Sequence, residues 1–460
     1  MKSVRSLGLV VTACAVLMGC ASVHNVPVNV PLTGDGPVDP VVAKQPPSPR
    51  DDVVVGLSFS GGGTRAAAFA FGVLQQLDET PVRGASGSLI DRVGFVSGVS
   101  GGSVTAAYFG LKRRDALTDF RERFLIRNAE EGLTTTLSLN TIGRAFSGGI
   151  NDSTGFTKWL DQNLFNGATF SDFARSGSHV WINASDIYNR VPFVFGYNAF
   201  SAMCSDLGRY PISSAVAASA AVPIAFAPAV VQAFPGTCNT PLPAWIARAA
   251  ADRNASPMLS NYAKAIVRYR DGAVPFVKLL DGGLVDNYGI SGFTIDRESS
   301  STAYGPLTPE QAVKIRRALF LVVDAKAGIS GDWVRTVEGP SGVDLLKAAV
   351  DTTIDASVGA NYAAFDRSMK DWNAKLISWR CGLSSAERRK YGAGPGWNCK
   401  DITFLLVRLG FDQLETSRAK MLEAVPTRFS LPARQVDEVI EAGRDALRTN
   451  VLVKSFVAGL

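Results

Sequence analysis

One local pattern occurs twice between Val53 and Leu111, and it narrows the choice of fold more than any other feature of the chain. Val53-Val54-Val55-Gly56-Leu57-Ser58-Phe59 is apolar and β-branched, the composition of a strand buried in a parallel sheet. It stops at Ser60-Gly61-Gly62-Gly63, and Thr64 to Leu77 then reads as a buried helix, rich in Ala, Phe and Leu with Gly72 as its one breaker. The pattern returns as a strand at Val93 to Ser97, a turn at Gly98 to Gly102 and an apolar helix at Ser103 to Leu111. Strand, tight turn and helix in succession predict an α/β architecture: a mostly parallel central sheet covered by helices on both faces. Further strands are expected at Val180–Ala184, Phe276–Leu280, Ala318–Val323 and Ile402–Leu409, with Phe276–Leu280 read as parallel and helical connections over 115–175. Val436, Val439, Ile440 and Leu447 share one face of a helix starting from Pro432. Asp296–Thr308 is polar and reads as a surface loop.

With 46% hydrophobic and 19% charged residues, the chain is far too apolar for general disorder. The 47 basic and 41 acidic residues leave a net charge of +6 with no basic block, so nucleic acid is not expected as a partner. Six cysteines and two histidines are too few for a Cys/His zinc cluster, and neither metal nor cofactor is expected. No uninterrupted apolar run is long enough to span a membrane.

The N-terminus reads as an address. Lys2 and Arg5 precede an uncharged, mostly apolar stretch from Ser6 to Gly19, the layout of an export signal. It ends in Leu17-Met18-Gly19-Cys20, which resembles the lipobox of bacterial lipoproteins; that resemblance implies acylation of Cys20 and removal of residues 1–19. Residues 20–50 then form a tether, with seven of the 23 prolines from Pro27 to Pro49. Fully extended, such a segment would reach on the order of 90 Å. Residues 51–460 are expected to form a single domain with a C-terminal extension. Four cysteines remain in the exported body, and proximity along the chain favours Cys204–Cys238 and Cys381–Cys399 as disulfides, with free buried thiols as the alternative. The implied location is the bacterial envelope, lipid-anchored on the outer membrane and facing the periplasm.

Gly98-Val99-Ser100-Gly101-Gly102 matches G-x-S-x-G between a strand and a helix. A strand turning straight into a helix strains the middle residue and pushes its Oγ outward. A serine nucleophile needs a base. His24 lies in the tether and His179 sits in no catalytic pattern, so counting disfavours a Ser-His-Asp triad. The alternative base is Asp281, at the end of the strand leading into Asp281-Gly282-Gly283. An imidazole base would give an acid limb near pH 6–7, and with Asp281 in its place no such step is expected. Asp186 and Asp324 also follow apolar strands and read as turn or cap residues. The triple glycine presents bare N–H groups at a helix start, which suits an anion. A P-loop would require Gly-Lys-Ser/Thr, which is absent, so an oxyanion hole is favoured.

Together, Gly61-Gly62-Gly63-Thr64-Arg65, the elbow at Ser100 and Asp281-Gly282-Gly283 resemble the fingerprints of the patatin-like phospholipase family, whose architecture is related to the α/β hydrolases. Ala218-Ser219-Ala220-Ala221-Val222-Pro223 resembles a further stretch of that family. Ser60 stands where plant-type members carry Asp, which is closer to the cytosolic phospholipase branch, and Asp286-Asn287-Tyr288-Gly289 departs from the usual Asn-x-Pro. The resemblance implies a serine lipid acyl hydrolase of phospholipase A or lysophospholipase type. Ser100 would attack, Asp281 would act as base, and the loop Gly61, Gly62 and Gly63 would hold the oxyanion. Arg65 would bind a lipid phosphate or brace that loop. The alternatives are a broad esterase or thioesterase with the same dyad, or a non-catalytic lipid- or partner-binding lipoprotein.

Overall fold

The computed structural model describes residues 23–33, 52–82, 87–134, 148–329, 331–340 and 342–459. The expected signal peptide and Cys20 lie outside the described residues. Eight strands build one sheet: β1 (Val53–Phe59), β2 (Val93–Val99), β3 (His179–Asp186), β4 (Val191–Val194), β5 (Ala229–Gln232), β6 (Phe276–Asp281), β7 (Arg317–Asp324) and β8 (Thr403–Gly410). Their order is β5-β6-β3-β2-β1-β7-β8, with β4 paired to β3. The five strands from β3 to β8 are mutually parallel, and helices flank the sheet.

Helix α1 (Gly63–Asp78) follows β1 and α2 (Gly101–Lys112) follows β2, so both glycine turns are strand-to-helix junctions. Further on come α3 (Ile212–Ser219), α4 (Ser291–Ser299), α5 (Gly342–Gly382) and α6 (Ala433–Thr449). Val436, Val439, Ile440 and Leu447 of α6 are buried, and α6 packs along α1. On the side of the sheet that Gly56 faces, Phe95, Phe293, Phe320 and Phe365 form a continuous aromatic layer beneath α4 and α5.

Three expectations are corrected. β6 is antiparallel to β3, not parallel. β3 runs past the end of β2, and β6 comes back along that overhang, so its last residue still stops at the level of the elbow. The stretch read as a polar loop from Asp296 begins inside α4, and Arg297 is buried there, donating to the carbonyls of Thr302 and Gly305. The stretch read as an unpacked tether is packed over residues 23–33, where Leu32 and Asn29 are buried against the body. The rest of it, 34–50, lies outside the described residues.

Cys204 is bonded to Cys238 and Cys381 to Cys399, closing loops of 34 and 18 residues. In the chain-entropy account each bridge stabilises the fold by about 3–4 kcal/mol. Among the described residues no helix is long and apolar enough to cross a membrane.

Candidate active site

β2 ends at Val99, and Ser100 takes φ 51° and ψ −122° before α2 begins at Gly101. A serine rarely adopts such a conformation, and it persists only where the surroundings hold it. Here the Ser100 N–H donates to Ser219 Oγ at 2.9 Å, while the Ser100 carbonyl accepts from the N–H of Ser103 at 2.9 Å and from its Oγ at 2.6 Å. Gly98 is required because a Cβ there would lie 2.6 Å from the carbonyl of Gly102.

Asp281 is the last residue of β6. The register pairs Val99 with Asn183 and Ala184 with Asp281, so Ser100 and Asp281 stand at one level on either side of β3. Their backbones are thus about 10 Å apart, two strand spacings, and the two side chains reach toward each other across β3. Gly282 lets the chain pass over β3, since a Cβ would meet the Asn183 carbonyl at 2.4 Å. The Asp281 carboxylate accepts from the Gly283 N–H at 2.8 Å. Burial pushes its pKa up to about 6, against the lowering effects of the Gly283 N–H and the Ser100 hydroxyl. The Ser100 hydroxyl is thus near enough to act on the carboxylate, although the two do not close a bond of ordinary hydrogen-bond geometry, a looseness common in ligand-free sites. With its pKa raised to about 6, Asp281 acting as a base would give an acid limb close to that of an imidazole, where the sequence led to expecting none.

The glycine loop lies directly on the elbow. A Cβ on Gly61 would be 3.4 Å from Ser100 Cβ, and one on Gly101 would sit 1.9 Å from the Gly63 carbonyl oxygen. Gly62 and Gly63 have φ of 137° and 60°, a region that favours glycine. The Gly61 N–H is not available to an oxyanion, because it donates to the Asn287 carbonyl at 3.1 Å. The N–H groups of Gly62 and Gly63, and that of Gly101 at the start of α2, have no partner among the described residues.

Arg65 does not face the crevice. It is 2% exposed; Nε donates to the Ala325 carbonyl at 3.0 Å, Nη1 to that of Val425, and Nη2 to Thr427 Oγ1 at 3.0 Å. Burial lowers its pKa to about 10, offset in part by Asp324. Of its two expected roles, bracing the loop is the one this placement allows. Ser60 contributes as well, its Oγ accepting the Ala325 N–H at 3.0 Å. Asp186 accepts from the N–H groups of Tyr188 and Asn189 and from the Tyr269 hydroxyl, and Asp324 from Tyr288 and Arg408, so both are structural.

His179 opens β3, at the far end from the elbow, four residues or about 13 Å from Asn183. It is packed edge-on against Trp181, its Nε2 has no hydrogen-bond partner, and burial lowers its pKa to about 4. Among the described residues no His, Cys, Asp and Glu side chains gather as a metal site.

Sequence reasoning missed the support beneath the elbow. Ser219 Oγ takes the Ser100 N–H and donates to the Asn183 carbonyl at 2.6 Å; Asn183 Nδ2 donates to Ser97 Oγ and to the Gly98 carbonyl. The available signal was the lone hydroxyl in Ala218-Ser219-Ala220, a small-residue run ahead of Pro223. Asp286, buried, ties the following loop by accepting from the N–H groups of Gly289 and Ser291, which sets the Asn287 carbonyl against Gly61.

The family model of patatin-like phospholipases matches residues 57–294, a little over half of the chain. Two solved structures of human GIVD cytosolic phospholipase A2 are similar to it. The first is 12% identical, with 88% of this chain covering 63% of that one and a TM-score of 0.39. The second, a complex with methyl gamma-linolenyl fluorophosphonate and terbium chloride, is 13% identical, with coverage of 89% and 60% and a TM-score of 0.37. VipD from Legionella pneumophila is 12% identical, with coverage of 94% and 71% and a TM-score of 0.33. The chain thus spans less than two thirds of the length of the human enzyme chains. No curated protein matches it.

Proposed function

The chain belongs to the patatin-like phospholipase family, a family of lipid acyl hydrolases, and from that premise we propose that Ser100 and Asp281 form its catalytic dyad, acting on phospholipids or lysophospholipids through an acyl-enzyme. The observation that carries this reading is the buried Asp281 carboxylate held at the level of the strained Ser100, under a loop with free amides. Asp281 takes the proton of Ser100 Oγ as that oxygen bonds to the ester carbonyl carbon. The carbonyl oxygen becomes an oxyanion beside the N–H groups of Gly62 and Gly63, where each donor lost would raise the barrier by about 3–4 kcal/mol. As the C–O bond breaks, the departing alkoxide takes the proton from Asp281. Water then gives a proton to Asp281, attacks the acyl-Ser100 ester and releases the fatty acid, and the proton returns to Ser100.

A raised pKa suits Asp281 to this work, because a carboxylate at about 6 is a stronger base than an ordinary one yet still ionised at neutral pH. The lipobox-like Leu17-Met18-Gly19-Cys20 supports a second part of the proposal. The mature protein begins at an acylated Cys20 and is anchored on the bacterial envelope, facing the periplasm from the outer membrane. The deciding experiment is a fluorophosphonate label followed by mass spectrometry. Ser100 is expected to carry it, Ser100→Ala is expected to be folded and inert on phospholipid vesicles and on soluble short-chain esters, and esterase activity surviving in that variant would overturn the dyad.

A further inference from the structure

The segment 23–33 is laid along the outer edge of the sheet. β5 is an end strand, and its exposed edge would otherwise invite pairing with another chain. Two asparagine side chains cover it in place of a further strand. Asn29 Oδ1 accepts the Gln232 N–H at 2.9 Å and its Nδ2 donates to the Gln232 carbonyl at 2.7 Å. Asn25 Nδ2 donates to the carbonyls of Ala227 and Pro228 at 2.9 and 3.0 Å, and its Oδ1 accepts from the N–H and the Oγ of Ser153 at 2.8 and 2.9 Å. Farther along, the Leu32 N–H donates to the Cys204 carbonyl at 2.8 Å, and the Asp206 N–H to the Val30 carbonyl at 3.0 Å. Pro27 and Pro31, which lack an N–H, lose nothing in such an arrangement. From Val23 to Asn29 burial alternates from residue to residue, and Val26 and Val28 point outward, 72% and 52% exposed.

We propose that this strap seats the catalytic body on the membrane that holds it, so that the enzyme acts on its own leaflet and does not reach out on a long tether. The inference rests on the acylation of Cys20 proposed above. Val23 follows Cys20 by three residues, a span of at most about 10 Å. β5 and β6 are neighbours at about 4.8 Å, and the strap lies one side chain beyond β5, which puts it on the order of 10 Å from the strand ending in Asp281. The acylated residue then lies within about 30 Å of Asp281, against the 90 Å or so that an unpacked tether would allow. The partner this edge fits is a bilayer surface. Val26 and Val28 face outward, Phe276 is exposed on β6 opposite Gln232, and the Lys278 ammonium lies over the Phe276 ring. Apolar side chains with a snorkelling amine suit the boundary between headgroups and acyl chains.

The test uses the full acylated protein in vesicles of phosphatidylethanolamine and phosphatidylglycerol. A fluorescent acyl chain is placed either in those vesicles or in a second population. Hydrolysis in the protein's own vesicles is expected to exceed that in the second population by about tenfold or more. A long Gly-Ser insertion between Ser22 and Val23 leaves the strap and the fold untouched, and is expected to bring that ratio toward one. The variant N25A/N29A is expected to do the same, and turnover of a soluble short-chain ester is expected to stay unchanged in both. Equal rates on the two populations in the unaltered protein, or an unchanged ratio in the insertion variant, would overturn the seating. Mass spectrometry of the N-terminal peptide separates the two readings. An unacylated Cys20 overturns the anchor and the seating with it; an acylated Cys20 with a ratio of one overturns the seating alone.

Discussion

The backbone N–H of Ser100 donates to the Oγ of Ser219, and that hydroxyl donates onward to the carbonyl of Asn183. Ser219 is the last residue of α3, and Asn183 belongs to β3, the strand between the two side chains of the proposed dyad. One hydroxyl thus fixes the elbow to the strand that sets its distance from Asp281.

Ser219→Ala leaves the Ser100 N–H unpaired in a buried position, which should destabilise the protein by about 1–3 kcal/mol. Its larger effect should fall on turnover. A small displacement of Ser100 is expected to lower kcat by about 10- to 100-fold, with KM for a soluble ester little changed and with Ser219→Thr restoring most of the rate. Steady-state kinetics normalised to fluorophosphonate-titrated sites would check this, and a loss confined to KM would contradict it.

The pKa of Asp281 makes two predictions with opposite signs. Activity needs the ionised form, so the rate should fall with an acid limb near pH 6, and His179→Ala should leave that limb in place. Stability runs the other way. The folded-state pKa is raised from 3.8 to about 6, so the protonated carboxyl is favoured in the fold; that contribution is whole below about pH 4 and lost as pH rises through about 6. At pH 8 the ionised, buried Asp281 should therefore cost about 3 kcal/mol of stability. Asp281→Asn, inactive, should unfold at a higher temperature than the parent at pH 8, with the gap closing toward pH 4. Thermal scans across pH measure it, and a gap independent of pH would contradict the assignment.

Arg65 distinguishes bracing from substrate binding. All three of its nitrogens have acceptors within the protein. Arg65→Lys keeps the charge but leaves some of those acceptors unpaired, and it should lower phospholipid and neutral-ester turnover alike while destabilising the fold by a few kcal/mol. Loss of phospholipid turnover alone would mark a phosphate-binding role instead.

Much of this was legible in the sequence because local chemistry and fold agree there. The apolar runs at Val53 and Val93 ending in glycines state both junctions, and two histidines among 460 residues pointed to a carboxylate. What was not legible depends on partners distant along the chain. Nothing near Phe276 shows that β6 will pair antiparallel with β3, because that follows from β3 overhanging β2. Nothing in Gly61 shows that its N–H will be taken by Asn287, a residue 226 positions away. Seven prolines from Pro27 to Pro49 predicted an unpacked tether, and over residues 23–33 Asn25 and Asn29 reversed that by bonding through side chains to the sheet edge. Burial of the Asp281 carboxyl, and so its pKa, is likewise a property of the assembled crevice.

Gly72, which read as a lone breaker in α1, answers to a contact with the other end of the chain. A Cβ on Gly72 would lie 1.9 Å from the Ile440 carbonyl oxygen in α6, and one on Gly443 would lie 2.2 Å from that of Phe69 in α1. Both obstacles are backbone, so neither can move aside as a side chain would, and the two helices must separate instead. Each of Gly72→Ala and Gly443→Ala should then destabilise the protein by about 1–3 kcal/mol in spite of alanine's better helix propensity. Because α1 starts at Gly63, a shift of the helix should also carry the glycine loop off Ser100 and reduce kcat. The double variant should be less than additive, since helices already forced apart by one methyl have room for the second. Chemical denaturation of the two single variants and the double measures this, and full additivity would show that the two glycines answer to separate contacts.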